Sequence, residues 1–232
     1  MSRILLLDIG AGTMDVLYFD STADLHYKAV VRSPVRTVAE KIDDLSGKLV
    51  VTGGEMGGGP VTDVLRERAR TQEVVMSASS AATLHHDPDV VRSWDISIVA
   101  DSEAEQLQRQ SGYSSITVTD VDPGRIEQIV TSFGVSFSFD VVAVCAQDHG
   151  VPPTGTSHLD YRHRMFQDRL DSAPYPHTLL YSSQDVPATM NRLTTIARCA
   201  ERLPTSEVFV MDSGMAAILG ASLDMQLSLI HI

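Results

Sequence analysis

Apolar residues in this chain fall into two kinds of pattern: short continuous or alternating bursts that predict strands, and three- and four-residue recurrences that predict helices. Ile4 to Leu7 is a continuous apolar run bounded by a glycine turn, the mark of a buried strand. Met14 to Asp20 is rich in strand formers and too short for a helix before the polar turn Ser21 to Asp24, and His26 to Val31 reads as a third strand. Val35, Val38, Ala39, Ile42 and Leu45 then share one helical face, closed by Gly47. Strands follow at Lys48 to Val51, Glu73 to Met76, Trp94 to Val99 and Ile116 to Thr119, with helices at Val61 to Arg70, behind Pro60, and at Glu103 to Gln110. Helix Arg125 to Phe133 leads to the apolar strand Phe139 to Ala146. Later come helices over Leu159 to Leu170, Thr189 to Arg202 and Met215 to Ser222, with strand material at Leu179 to Tyr181 and Val208 to Met211. Strands alternating with helices predict an α/β fold.

The segment Val151 to Ser157, with two prolines and a glycine, is the clearest boundary, dividing residues 1–150 from a linker and second unit over 151–226. Residues 227–232 have the sequence that translation of a sequencing-library transposon adapter would give. They are expected to be a non-native tail, the true chain continuing past Asp224.

Charge narrows the partners. With 18 basic and 30 acidic residues the formal charge is -12, which argues against a nucleic-acid surface and makes an anionic ligand costly unless amides and a divalent cation offset the field. The two cysteines, Cys145 and Cys199, suit a reducing cytoplasm rather than a disulfide frame. No signal peptide is recognisable and no apolar stretch nears the ~20 residues of a membrane helix, so a cytoplasmic protein without membrane contact is expected.

Four places carry candidate chemistry. The first is Asp8-Ile9-Gly10-Ala11-Gly12-Thr13-Met14-Asp15, a glycine loop between two strands with a carboxylate on each side, whose amides can crowd an anion. The alternative is a type I′ or II′ hairpin turn, where glycine is expected on geometry alone. The second is Gly57-Gly58-Gly59 ahead of a helix N-terminus, either an anion site or a close-packed loop. The third is His85-His86-Asp87, a metal cluster or, more simply, Asp87 capping a helix with Pro88 at its first position. The fourth is Gln147-Asp148-His149-Gly150 at a strand exit, where Asp148 or Gln147 can position a water and His149 relay a proton, or where Asp148 caps the next turn and His149 covers a core edge. Arg162, Arg164 and Arg169 read as a solvated helix face, and Asp212 or Ser213 as a cap.

The DxGxGTxD hairpin resembles the first phosphate motif of the actin-like ATPase superfamily, which also holds the Hsp70 chaperones and the acetate and sugar kinases. The resemblance implies a ribonuclease H-like lobe with a mixed sheet and an N-terminal hairpin phosphate loop, the second lobe being incomplete here. It further implies that Asp8 holds Mg²⁺, that Gly10, Ala11, Gly12 and Thr13 cradle the phosphates of ATP, and that Asp15 orients the attacking group. Together with MGGGPVT, AATLHHD, VCAQDHG and MDSGMAAILGA, the motif resembles, over about residues 1 to 224, a branch labelled pyruvate formate-lyase activating enzyme-like. Met14, where that branch has an uncharged amide, and His86, where it has an Asp, depart from it. Such activases hold a [4Fe-4S] cluster on three closely spaced cysteines, and two distant ones do not suffice. The implied function is Mg-ATP-dependent phosphotransfer, as an ATPase or a small-molecule kinase acting on an unidentified small molecule or protein. The alternative is a non-enzymatic scaffold or metabolite-binding regulatory module of the same fold. Lacking a second phosphate loop, the stretch supplies half of a nucleotide clamp and is expected to be inactive alone.

Overall fold

A computed structural model of the chain describes residues 2–153 and 155–229. It is an α/β structure whose chain divides into two compact units: Met1–Gly10, Met14–Val31 and Pro123–Ile232 form one, and Ala11–Thr13 with Arg32–Asp122 form the other.

The first unit is built on a mixed six-stranded sheet. Strands β1 (Arg3–Ile9), β2 (Thr13–Asp20) and β3 (Leu25–Arg32) form the antiparallel start predicted from the polar turns. Asp20 Oδ1 closes the second of those turns by accepting the Thr22 and Ala23 amides at 2.8 and 3.3 Å. The second unit follows in sequence, taking helix α1 (Pro34–Asp44), strand β4 (Lys48–Gly53), α2 (Gly59–Ala69), β5 (Val74–Ser77), α3 (Ala78–Ala81), α4 (Pro88–Arg92), β6 (Ile96–Val99), α5 (Asp101–Leu107) and β7 (Tyr113–Val118). The chain then returns to the first unit through α6 (Pro123–Ser132), β8 (Phe139–Ala146), α7 (His158–Ser172), a 3₁₀ turn at Pro176–Leu179, β9 (Tyr181–Ser182), α8 (Asn191–Ala200), β10 (Thr205–Asp212) and α9 (Ser213–Leu229).

The order of the six-stranded sheet is β3-β2-β1-β8-β10-β9, with β8 parallel to β1 and β10 parallel to β8. Residues beyond 150 therefore complete the first sheet instead of starting a separate unit. The proline-rich segment predicted as a boundary is a surface connection within one unit, and Thr154 in it lies outside the described residues. Of the predicted tail, residues 227–229 are helical backbone and residues 230–232 lie outside the description. One face of the sheet is core, with Leu5, Leu7 and Ile9 on β1, Met14, Val16 and Tyr18 on β2, and Val142, Val144, Val208 and Val210 beyond. Helix α8 packs against β8 and β10, its Leu193, Ile196, Ala197 and Ala200 recurring at helical spacing and buried.

The second unit is a doubly wound layer structure on a parallel sheet ordered β6-β5-β4-β7. Leu49, Val51 and Met76 join the core with Val38, Ile42, Val61 and Leu65 of α1 and α2, while Val50 and Val75 pack with Ala104 of α5 on the opposite side. The central strand is buried on both faces, so it reads as an unbroken apolar run. Its last residue is fixed by sterics: Gly53 has φ of 105°, and a Cβ there would stand 2.2 Å from the Val118 carbonyl oxygen. Gly53→Ala is expected to cost about 3 kcal/mol or more, the sum of a backbone clash and a left-handed conformation, measurable as a lowered urea midpoint.

Candidate functional site

The hairpin loop can be built from its strands. β1 and β2 pair in register from Arg3 opposite Asp20 to Ile9 opposite Met14, which sets Asp8 directly across from Asp15. With Leu5, Leu7 and Ile9 turned into the core, Asp8 belongs to the other face and is exposed. Like charges directly opposite on a sheet repel. Their effect is visible in Asp8, whose carboxyl is held above the ordinary range first by partial burial and then by the Asp15 charge, with Lys28 pulling the other way. Lys28 on β3 sits with its Nζ 2.9 Å from Asp15 Oδ1. Among the described residues no hydrogen bond is donated to the Asp8 carboxylate, so it is held at the strand end by packing of its neighbours and stays open to an incoming cation.

The loop residues Gly10, Ala11, Gly12 and Thr13 are all exposed. None has a positive φ, so this is not the primed turn that would have required glycine. Gly12 is not required by packing either, since a Cβ built on it meets nothing within 4 Å. Its carbonyl accepts the Ser33 amide at 3.1 Å, which fixes the tip.

Asp148 is 2% exposed, and its carboxylate accepts the Gly150 amide at 2.7 Å and the Leu193 amide at 2.9 Å. It caps the first turn of α8 from the exit of β8, and each of its oxygens is engaged by a backbone amide. Its own amide donates at 3.0 Å to Asp212 Oδ2, and Asp212, 1% exposed, also accepts the Gly214 amide at 2.9 Å. Arg162 meets Asp212 with Nη2 on Oδ1 and with Nε 3.2 Å from Oδ2. The guanidinium predicted on a solvated face is instead buried, because Arg162 and Phe166, four residues apart, form the inner face of α7; Arg164 and Arg169 are exposed as expected. His149 is exposed at the same strand exit. Its imidazole is held below its ordinary value, mainly by partial burial and then by the charges of Arg162, His158 and Arg192, so it is neutral at pH 7. The thiol of Cys145, level with Asp8 on the adjacent strand, is pushed up to about 11 by burial and then by Asp8 and Asp212.

In the second unit the glycine loop packs closely. A Cβ on Gly58 would stand 2.5 Å from the Thr83 carbonyl oxygen, and the Gly57 amide points at 3.4 Å to Asp120, a carboxylate 2% exposed. Gly59 opens α2 with φ of 28°. A buried acid against the loop argues against an anion at Gly57, Gly58 and Gly59. Asp87 caps α4 through the Asp89 amide at 2.9 Å, as predicted. His86, which the sequence left without a role, pairs with Glu55 at 3.0 Å, both largely buried. No signal in the sequence joined those two, which lie on separate loops. Among the described residues no three metal-ligating side chains converge. A cation at Asp8 would therefore complete its shell with water and phosphate oxygens, as Mg²⁺ commonly does.

A family model described as "Putative pyruvate format-lyase activating enzyme (DUF1786)" matches residues 56–231. No curated protein matches the chain. No helix among the described residues is long and apolar enough to cross a membrane.

Two outcomes separate open from structural carboxylates. Asp8 has its folded value raised, so its charge is a penalty absent below the unfolded value near 3.8 and fully present once pH rises through the folded value. Asp8→Asn is then expected to raise stability at pH 7 by about 0.2–1 kcal/mol, the gain vanishing near pH 3. Asp148→Ala is expected to cost about 2–4 kcal/mol at pH 7 by stranding two buried amides, both changes being read from urea unfolding. Alkylation of Cys145 by iodoacetamide at pH 7.5 is expected to run about ten- to a hundredfold slower than that of a free thiol, by mass spectrometry.

Proposed function

The chain belongs to this family, and from that premise and the hairpin geometry we propose that it is a Mg-ATP-binding phosphotransfer protein of actin-like, ribonuclease H-like fold, an ATPase or a small-molecule kinase. The observation that carries the reading is the hairpin mouth. Two opposed carboxylates stand at the end of a buried strand, beside a glycine that neither backbone conformation nor packing requires. Glycine at an open position leaves room for a ligand to approach the backbone. The strand order supports the same reading, with three antiparallel strands followed by β8 and β10 parallel to the first.

Asp8 fits a water-mediated Mg²⁺ ligand, being exposed and accepting no hydrogen bond among the described residues. Magnesium bound there would neutralise charge on the transferring phosphoryl group. The amides of Gly10 to Thr13 would face the phosphates, and Asp15 would orient the attacking oxygen. His149 is neutral at pH 7 at the neighbouring strand exit, in the state needed to accept a proton. Asp148 has no part in this scheme, its carboxylate being committed to α8.

The family's label carries a different chemistry, which these residues do not fit. An activase of that kind needs three clustered thiolates for an iron-sulfur centre. The sequence has Cys145 and Cys199, on β8 and α8, and Cys145 is protonated at neutral pH.

Thermal unfolding with and without millimolar Mg-ATP tests the proposal. A rise of about 2–4 °C is expected at saturating ligand, abolished by EDTA and by Asp8→Asn. Gly12→Ala is expected to leave the unliganded melting temperature unchanged within about 1 °C, since its Cβ meets nothing, and to remove the ligand-induced rise. An unshifted wild-type protein would sink the nucleotide reading, and a shift without turnover would leave a nucleotide-sensing module.

A further inference from the structure

Lys28 has no role in the scheme above, yet its position is specific. Asp8 on β1, Asp15 on β2 and Lys28 on β3 stand side by side across three neighbouring strands, with the ammonium 2.9 Å from Asp15 and its field also reaching Asp8. A lysine on an edge strand commonly serves to deter sheet-to-sheet association. That duty asks only for a solvated charge on the rim, and does not account for an ammonium turned onto a carboxylate pair.

The charge balance gives the row a second property. Two carboxylates and one ammonium leave one negative charge uncompensated, which a divalent cation would remove without the ammonium's help. The Lys28 side chain is 59% exposed and the Asp15 side chain 34%, so the ion pair is screened, weak and easily exchanged. The four-carbon stem lets the ammonium pivot while its Cα stays in the sheet.

We propose that Lys28 is a positioning residue for polyphosphate: its ammonium occupies the Asp8–Asp15 pair until a divalent cation displaces it, and then bonds the phosphate oxygens that arrive with the metal. The inference rests on the nucleotide reading of the hairpin. No covalent bond changes; one cation replaces another, and the displaced one finds the anion. Lys28 thus couples metal occupancy to phosphate capture, and disfavours phosphate without metal at the hairpin mouth, because its ammonium is then still engaged by Asp15.

Calorimetry at low ionic strength on the whole chain, with Mg²⁺ alone and with Mg-ATP, tests this without measuring turnover. Lys28→Met removes a competitor for the carboxylates, so Mg²⁺ alone is expected to bind about fivefold tighter. It also removes a charge-assisted contact, so Mg-ATP is expected to bind about tenfold weaker. Lys28→Arg should keep most of the Mg-ATP affinity, and circular dichroism should show both variants folded. Opposite signs for the two ligands support the exchange. Equal changes of one sign, or no change in either, overturn the role of Lys28 while wild-type binding upholds the nucleotide site. Wild-type protein that takes up no Mg-ATP overturns both.

Discussion

The register of β1 between its two neighbours is the constraint on which the candidate site depends. β1 is hydrogen-bonded on both edges, antiparallel to β2 and parallel to β8, and its odd-numbered residues from Leu5 to Ile9 are buried. A slip of one residue would exchange the faces, burying Asp8 and exposing Ile9. The register is therefore held by core burial along the whole strand, and Asp8 inherits its outward direction from leucines that have no chemical role. The same pairing brings Asp15 opposite and places Cys145 level with Asp8 on the other side. Charge and thiol are thus neighbours by topology, and the Asp8 charge adds to burial, the larger cause, in driving the thiol toward its neutral form.

The strand exits next to the hairpin are organised by a different economy of charge. Asp148 and Asp212 are almost wholly buried, and both are surrounded by donors, namely backbone amides and, for Asp212, the Arg162 guanidinium. Removing one member of such a set is far more damaging than the set is stabilising, because the partner is left buried and unpaired. Together they tie the ends of β8 and β10 to the first turns of α8 and α9 and to the inner face of α7. The rim of the sheet is thus cross-linked by hydrogen bonds where it borders the hairpin, while the hairpin's own carboxylates remain in contact with solvent.

Most of the secondary structure was legible in the sequence because it rests on local pattern. Apolar runs marked β1, β4 and β8, helical spacing marked α1 and α8, and the Asp87-Pro88 pair marked the start of α4. What was not legible was non-local. The prolines at 152 and 153 signal an exposed connection, but only the pairing of β10 with β8 shows that the chain goes back to the same sheet. Asp148 reads as a reactive acid at a strand exit until Leu193, 45 positions later, presents its amide. Arg162 lies on a helix whose polar character hides the face carrying Arg162 and Phe166. In the candidate site the acids and glycines could be read directly. The absence of any steric need for Gly12, and the lysine beside Asp15, required coordinates.

The order in which the strands enter the sheet has a consequence during synthesis. β1, β2 and β3 leave the ribosome well ahead of β8, the parallel neighbour of β1, which follows only after residues 32–122 have emerged. That intervening stretch carries its own core and can collapse while the opening hairpins still wait, with one edge of β1 unpaired. The parallel edge of β1 thus stays open for the time taken to translate the whole inserted unit, an interval in which strand-to-strand association competes with folding.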